Sequence, residues 1–377
     1  MDPRLRILFC AILICGSTSV CALPAYTFTE LGTLGGDSYS AALGINNAGQ
    51  VVGVSPIAGN PGLHATLWNG TTPIDLGTLG GTYSYGFGIN DSTQVVGSSY
   101  TAGDIADHAT VWNGTTTTDL GALGGTTSAA FGINNFGQTV GEAYTDGNSV
   151  FHATVWNGTT ITDLGTLGGT NSFANSINKF GQVAGSSLTA NNASWHATVW
   201  NGTTPIDLGT LGGTTSYAAS INNSGQVAGD SYTAGDIADH ATVWNGTTPI
   251  DLGTLGGTLS YANSINNSGQ VVGLSTTIGD TATRAFLWDA GMMIDLNNLL
   301  DSGTINAGWI LHYATAINDN GWIVGQAFNT ERAGQSYAFL LSTTTAAPVP
   351  LPGAFPLMLG GLGLLGLRVH RSKRQGF

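Results

Sequence analysis

The chain has 377 residues, of which 8% are charged, 42% are apolar and 57 are Gly. The apolar content excludes an intrinsically disordered chain, and the charge is far below the roughly one quarter of an average soluble domain. The formal net charge is −13; between Leu23 and Ala347 only Lys179, Arg284 and Arg332 face 21 carboxylates (the chain's 22 less Asp2), giving −18 and no basic patch to meet phosphates, so nucleic acid is excluded as a partner.

The first element is an export signal. Arg4 and Arg6 precede the apolar run Ile7 to Cys15, and Val20-Cys21-Ala22 offers a small-residue cleavage site after Ala22. The run is too short to span a bilayer. Cys10, Cys15 and Cys21 all lie in this signal helix, so the mature chain has no cysteine and no disulfide framework.

From residue 23 to residue 342 one phrase recurs. Ile45-Asn46 returns at Ile89, Ile133, Ile177, Ile221 and Ile265, each 44 positions on, and at Ile317 after 52. Trp68, Trp112, Trp156, Trp200, Trp244 and Trp288 keep the same step. A period in this range marks a solenoid, propeller or array. In the copy Ser216 to Gly257, Tyr217–Asn222 and Gln226–Gly229 read as strands around the turn Asn223-Ser224-Gly225. His240–Trp244 and Thr248–Leu255 follow, joined by the hairpin signal Asn245-Gly246, and Gly256-Gly257 closes the unit. Four short antiparallel strands in 44 residues are the size of a propeller blade.

The first strands are rich in Ala, Ser and Gly, which suits the crowded innermost position, and the Trp and Leu residues then lie further out. Gly229 and its equivalents, ending each second strand, permit close backbone approach. The body opens on a lone fourth strand, Tyr26 to Leu34, and ends on a third strand, Tyr337 to Leu341. Pairing the two completes a seventh unit, so the predicted fold is all-β: a seven-bladed propeller of four-stranded blades, closed by the N-terminal strand. An open β-solenoid is the alternative, although it does not require this complement.

With His64-Ala65-Thr66-Leu67-Trp68, Arg284-Ala285-Phe286-Leu287-Trp288 and Asp75-Leu76-Gly77-Thr78-Leu79-Gly80-Gly81, the repeat resembles the extracellular HAF-repeat family over about 315 residues. Most copies read His-Ala-Thr, not His-Ala-Phe. The resemblance implies secretion and no assigned chemistry. The pattern is also similar, more loosely, to kelch propellers.

Three repeated series look like sites. His64, His108, His152, His196 and His240 head the third strands; equivalent residues on separate blades stand too far apart for one metal, so each is expected to bond a neighbouring loop. Glu30, Asp75, Asp119, Asp163, Asp207, Asp251 and Asp295 share one position on the outer strand, where turn or edge hydrogen bonding is expected. Asn46 and its equivalents precede turns, where Asn satisfies backbone groups. No cofactor is expected. Calcium is a secondary possibility in the loops Asp104–Asp107 and Asp236–Asp239, whose spacing matches no known calcium loop.

The phrase breaks late, between Asn297 and His312, and the candidate ligand-binding residues are Trp309, His312, Trp322, Glu331 and Arg332, with Trp309 as a sugar-stacking platform. A closure blade adapted to meet the N-terminal strand is the competing account.

Residues 343–349 form a small polar linker. Residues 350–377 then hold an apolar stretch from Ala354 to Leu367 and the basic Arg368, Arg371, Lys373 and Arg374, read as a short hydrophobic, membrane-inserting helix with its positive end in the cytoplasm. Val349-Pro350-Leu351-Pro352, the apolar stretch and the basic cluster together resemble the PEP-CTERM class of sorting signals; a plain tail anchor is the alternative. The resemblance implies a Gram-negative bacterium, transient inner-membrane anchoring, an exosortase-type processing enzyme as partner, and delivery to the cell surface or an exopolysaccharide matrix. The expected function is a non-enzymatic binding or structural module for polysaccharide or a surface protein. A polysaccharide hydrolase or lyase with acids meeting at the axis, such as Glu142 and Glu331 beside Trp309, is the alternative.

Overall fold

The computed structural model describes residues 25–343 apart from 36–38, 60–61, 159 and 333–334. Ala22 and its cleavage site, the three cysteines, and the sorting motif Val349, Pro350, Leu351 and Pro352 with the tail beyond it all lie outside the described residues. The described residues belong to the first of two compact units, which ends at Thr343.

The described body is all-β. Within one copy, the first strand Gly212–Ile221, the second Gln226–Thr233, the third Asp239–Asn245 and the fourth Thr248–Asp251 form an antiparallel meander. The turns follow from their residues. Asn222 Oδ1 accepts from the Ser224 and Gln226 backbone N–H groups at 3.0 Å, and Gly225 takes the positive φ of +79° that closes the turn. Gly246, at φ +62°, turns the third strand into the fourth.

One boundary differs from the sequence expectation. Gly256-Gly257 does not end a fourth strand; it opens the next first strand, Gly256–Ile265, which is longer than its apolar core suggested. The extra length carries two register shifts, between Gly256 and Ser260 and between Ala262 and Ser264, and such bulged stretches have no periodic signature. Glycine at position 229 is obligatory, because a Cβ there would collide with the Tyr217 carbonyl oxygen.

The strands form five four-stranded sheets and one eight-stranded sheet, the latter being two four-stranded sets joined by a single parallel bridge, Asp239 to Leu259. First strands of successive repeats stand side by side, with Ala218 fully buried. The core lies between sheets. Trp244 packs with Val227 and Ala218 of its own repeat and with Val199, Leu208 and Ala184 of the preceding one. Trp68, Trp112, Trp156 and Trp200 are equally enclosed. Each couples two neighbouring sheets, and truncating one to Ala costs about 3–5 kcal/mol.

The N-terminal strand Tyr26–Glu30 pairs antiparallel with the last strand, Ser336–Thr343, in the register Tyr26 to Thr343 through Glu30 to Phe339. It completes a sheet with Ile323–Asn329 and Trp309–Ile317. A second series of bonds links the repeats. The Asn46 side-chain amide donates to the Asn90 carbonyl at 3.1 Å, Asn90 to Asn134, Asn134 to Asn178, Asn178 to Asn222, Asn222 to Asn266, Asn266 to Asn318, and Asn318 back to the Asn46 carbonyl at 2.9 Å. The Asn series therefore satisfies its own turns, as expected, and also ties each turn to the next.

The insertion before Ile317 is filled by a 3-10 turn, Leu296–Leu299, and a five-residue helix, Ser302–Asn306, capped by Asp301 accepting from the Thr304 N–H at 3.0 Å. Leu296 and Leu300 drop into the same core as Trp309 and Phe339. Among the described residues no helix is long and apolar enough to cross a membrane.

Candidate functional site

The repeated polar series resolve into local bonds. In five repeats the His Nδ1 lies 2.7–2.9 Å from the fourth-strand Asp of the same sheet, as in His64 with Asp75 and His240 with Asp251. The Asp also accepts from a backbone N–H two residues on, as Asp251 does from Gly253. The antiparallel hairpin between the third and fourth strands makes each His–Asp pair one unit. Asp295 caps the Leu296–Leu299 turn instead, accepting from the Asn297 N–H at 2.9 Å. Of the acids in the two calcium-loop candidates, Asp104 holds the Thr82 N–H and hydroxyl and Asp236 those of Thr214, whereas Asp107 and Asp239 each keep an unpartnered Oδ1. Among the described residues no three His, Cys, Asp or Glu side chains converge to hold a metal.

The residues singled out near the end of the chain do not form one site. Trp309 is a core residue, 9% exposed, with its ring centroid 4.9 Å from Phe28 and 5.7 Å from Tyr337, so no face is open for sugar stacking. Arg332 lies over both Trp309 and Tyr337 and donates to Glu30 at 2.6 Å, fastening the N-terminal strand. Trp322 occupies the position of Gln50 in its turn and lies against Gly49. His312 packs on Tyr313 and Phe328, with Nε2 buried and unpartnered; burial first, then Arg284, holds its pKa below the usual value. Glu331 is exposed in the turn after Ile323–Asn329, whereas Glu142 belongs to another sheet, between Ala129 and Ala153.

The variation that matters lies elsewhere, at a second-strand position of which the sequence singles out only Glu142. In every second strand one residue stands opposite the constant Ala of the third strand: Val54, Ser98, Glu142, Ser186, Asp230, Leu274 and Gln326. Its partner on the first strand varies too, being Tyr85 opposite Ser98, Phe173 opposite Ser186 and Tyr217 opposite Asp230. The signal was present as the non-repeating letters of an otherwise constant phrase, and strand register was needed to align them.

At Asp230 these positions build a pocket. Tyr217, Asp230 and Tyr232 share one face of the sheet with Asp239, which stands opposite Tyr232. Tyr261 arrives from the second four-stranded set of the same eight-stranded sheet, joined to the first by the Asp239 to Leu259 bridge. These five residues, with Thr214, Thr215 and Asp236, line a cavity of about 570 Å³. Burial, then the Asp239 charge, pushes the Asp230 carboxyl up to about 8, so it carries its proton at neutral pH. Burial raises Asp239 to about 6, with His240 and the Tyr261 hydroxyl pulling the other way. Asp239 is 3% exposed and its Oδ1 has no hydrogen-bond partner. Burial and the two carboxylates raise the Tyr261 hydroxyl to about 12. The lining is rich in acceptors and holds no Lys or Arg.

The nearest counterpart is simpler. Asp107 is likewise raised to about 6 by burial and has an unpartnered Oδ1, but Ser98 stands where Asp230 does and Ala129 where Tyr261 does. Glu142 is raised to about 7 by burial alone.

A family model described as "Protein of unknown function (DUF3466)" matches residues 236–345, which include Asp239 and Tyr261. No curated protein matches the chain.

Proposed function

We propose that this chain is an exported, non-enzymatic binding module built as a closed seven-bladed β-propeller. The pairing of Tyr26–Glu30 with Ser336–Thr343 and the return of the asparagine series from Asn318 to Asn46 support closure. The signal segment before Ala22 and the tail beginning at Val349-Pro350-Leu351-Pro352 support an exported route: transient inner-membrane anchoring, processing by an exosortase-type enzyme, and a final place at the cell surface or in an exopolysaccharide matrix. The partner class is polysaccharide. The observation that carries this reading is the Asp230–Asp239 pocket with its three tyrosines, whose phenols offer flat apolar faces and hydroxyls of the kind sugars engage. A glycan-array screen of the purified chain tests it, and an array with no bound glycan would remove the polysaccharide assignment.

The second reading is a polysaccharide hydrolase or lyase. It is favoured by the same acid pair, whose pKa values are pushed to about 8 and about 6, a split suited to acid–base chemistry. New reducing ends or unsaturated products on incubation with a bound glycan would establish it; intact glycan leaves the module reading.

A further inference from the structure

We propose that the Asp230–Asp239 pocket recognises the primary ammonium group of an amino sugar, so that the polysaccharide it takes is one with free, unacetylated amines. This rests on the polysaccharide reading and names the class within it. The geometry gives the reason. Asp239 lines the cavity, and its Oδ1 is buried and lacks a hydrogen-bond partner. A buried carboxylate oxygen left without a donor is costly, and native sites supply the donor from protein, water or ligand. Asp230 adds a second carboxyl on the adjacent strand of the same face; it carries its proton at neutral pH, an approaching cation favours the release of that proton, and no cationic side chain lines the cavity. A cationic N–H donor answers both needs, supplying the missing hydrogen bond and offsetting the Asp239 charge. An ammonium group has three donors and no acceptor, which fits an ionised carboxylate beside a second carboxyl.

The walls narrow the choice. Tyr217, Tyr232 and Tyr261 line the cavity with the acids, and phenol rings attract a cation to their faces while their hydroxyls bond sugar hydroxyls. A cavity of about 570 Å³ falls within the range of small-ligand sites. Calcium is a poorer match, since it takes 6–8 oxygen ligands, preferably from several carboxylates, and only two point here besides Asp236, which Thr214 already occupies. The Asp107 counterpart supplies a control within the same molecule, because it has the unpartnered acid without the second carboxyl or the third tyrosine.

The test is calorimetric titration of the full chain with a glucosamine tetrasaccharide, its fully N-acetylated form, a neutral glucose tetrasaccharide, a lysine-containing peptide and calcium chloride. Tyrosine difference absorbance reports on the pocket in parallel. The glucosamine oligomer is expected to bind at least about tenfold more tightly than the acetylated one. Asp239→Asn and Asp230→Asn are each expected to weaken it about tenfold or more, while Asp107→Asn leaves it unchanged. Tyr261→Phe, which keeps the ring, serves as the second variant should an Asp substitution alter the thermal melt, and is expected to weaken binding and reduce the tyrosine signal.

Equal binding of acetylated and free-amine oligomers, or binding indifferent to Asp239→Asn, overturns the ammonium site while leaving the polysaccharide reading intact. Tighter binding of the peptide than of the oligosaccharide, or calcium binding abolished by Asp239→Asn with no oligosaccharide bound, also overturns it. No binding by any glycan overturns both.

Discussion

Asn318 donates its side-chain amide to the Asn46 carbonyl, 2.9 Å away and 272 residues earlier in the chain. Its Oδ1 accepts at the same time from the Asn320 and Trp322 backbone N–H groups. One buried side chain thus closes its own turn and joins the last repeat to the first. Asn318→Ala removes those bonds and leaves buried backbone groups unsatisfied, at a cost of about 2–4 kcal/mol. Urea unfolding measures this directly. A loss below about 0.5 kcal/mol would show that the series does not hold the ends together.

Arg332 and Glu30 make the second fastening. The pair is exposed and worth little by itself, but the guanidinium also covers Trp309 and Tyr337. Arg332→Ala is expected to cost about 1 kcal/mol and to speed amide exchange at residues 26–30 more than at Gln226–Thr233. Equal exchange in both strands would contradict a local role for Arg332.

Glycine 229 offers a sharper structural test. Its missing Cβ is the space filled by the Tyr217 carbonyl, so Gly229→Ala forces the first and second strands apart. The expected loss is about 3 kcal/mol or more, against a few tenths for Gly246→Asn at a hairpin that already tolerates a positive φ. Comparable melts for the two variants would refute the close approach.

Stability should fall as pH rises. Asp230 and Glu142 have folded-state pKa values raised from 3.8 to about 8 and from 4.5 to about 7. Below about pH 3 both groups are protonated in folded and unfolded chains, and neither matters. Above that the unfolded chain ionises freely while the folded one resists, so the folded state is penalised progressively up to about pH 7 for Glu142 and pH 8 for Asp230. Glu142→Gln is expected to raise stability at pH 8 by about 1–3 kcal/mol and to flatten the slope between pH 4.5 and 7. An unchanged slope would mean that water reaches the carboxylate in the folded protein.

The histidines provide a contrasting case. His152→Ala breaks an exposed pair with Asp163, which keeps its bond from the Gly165 N–H. A loss under about 1 kcal/mol is expected by thermal melt. A larger loss would give the repeated His–Asp pairs a structural weight that their exposure does not suggest.

Much of the body was legible because a repeat states its own rules. The spacing of Ile-Asn and Trp set the repeat length, the Asn-Gly and Asn-x-x-Gly turns set the strand order, and the surplus strand at Tyr26 matched the deficit at Leu341. The candidate residues fared differently. Trp309 and Arg332 stood out because they break the phrase, yet breaking it is also how a terminal repeat meets the N-terminal strand, and the two causes look alike in sequence. Asp230 was obscured for the opposite reason, being one variable letter inside an otherwise constant strand, and Asp239 stood out only as the end of a possible calcium loop.

The sequence by itself determined that the chain is β-rich, periodic and acidic, because turn chemistry and side-chain alternation act between residues close in the chain. Only the tertiary structure decided that His240 meets Asp251, that Asn318 returns to Asn46, and that Asp230, Asp239 and Tyr261 share a cavity. Those relations depend on register between strands and on which sheet faces which, and a bulge of one residue, as at Ala262 and Ser264, changes the face a side chain presents without leaving a mark in the sequence.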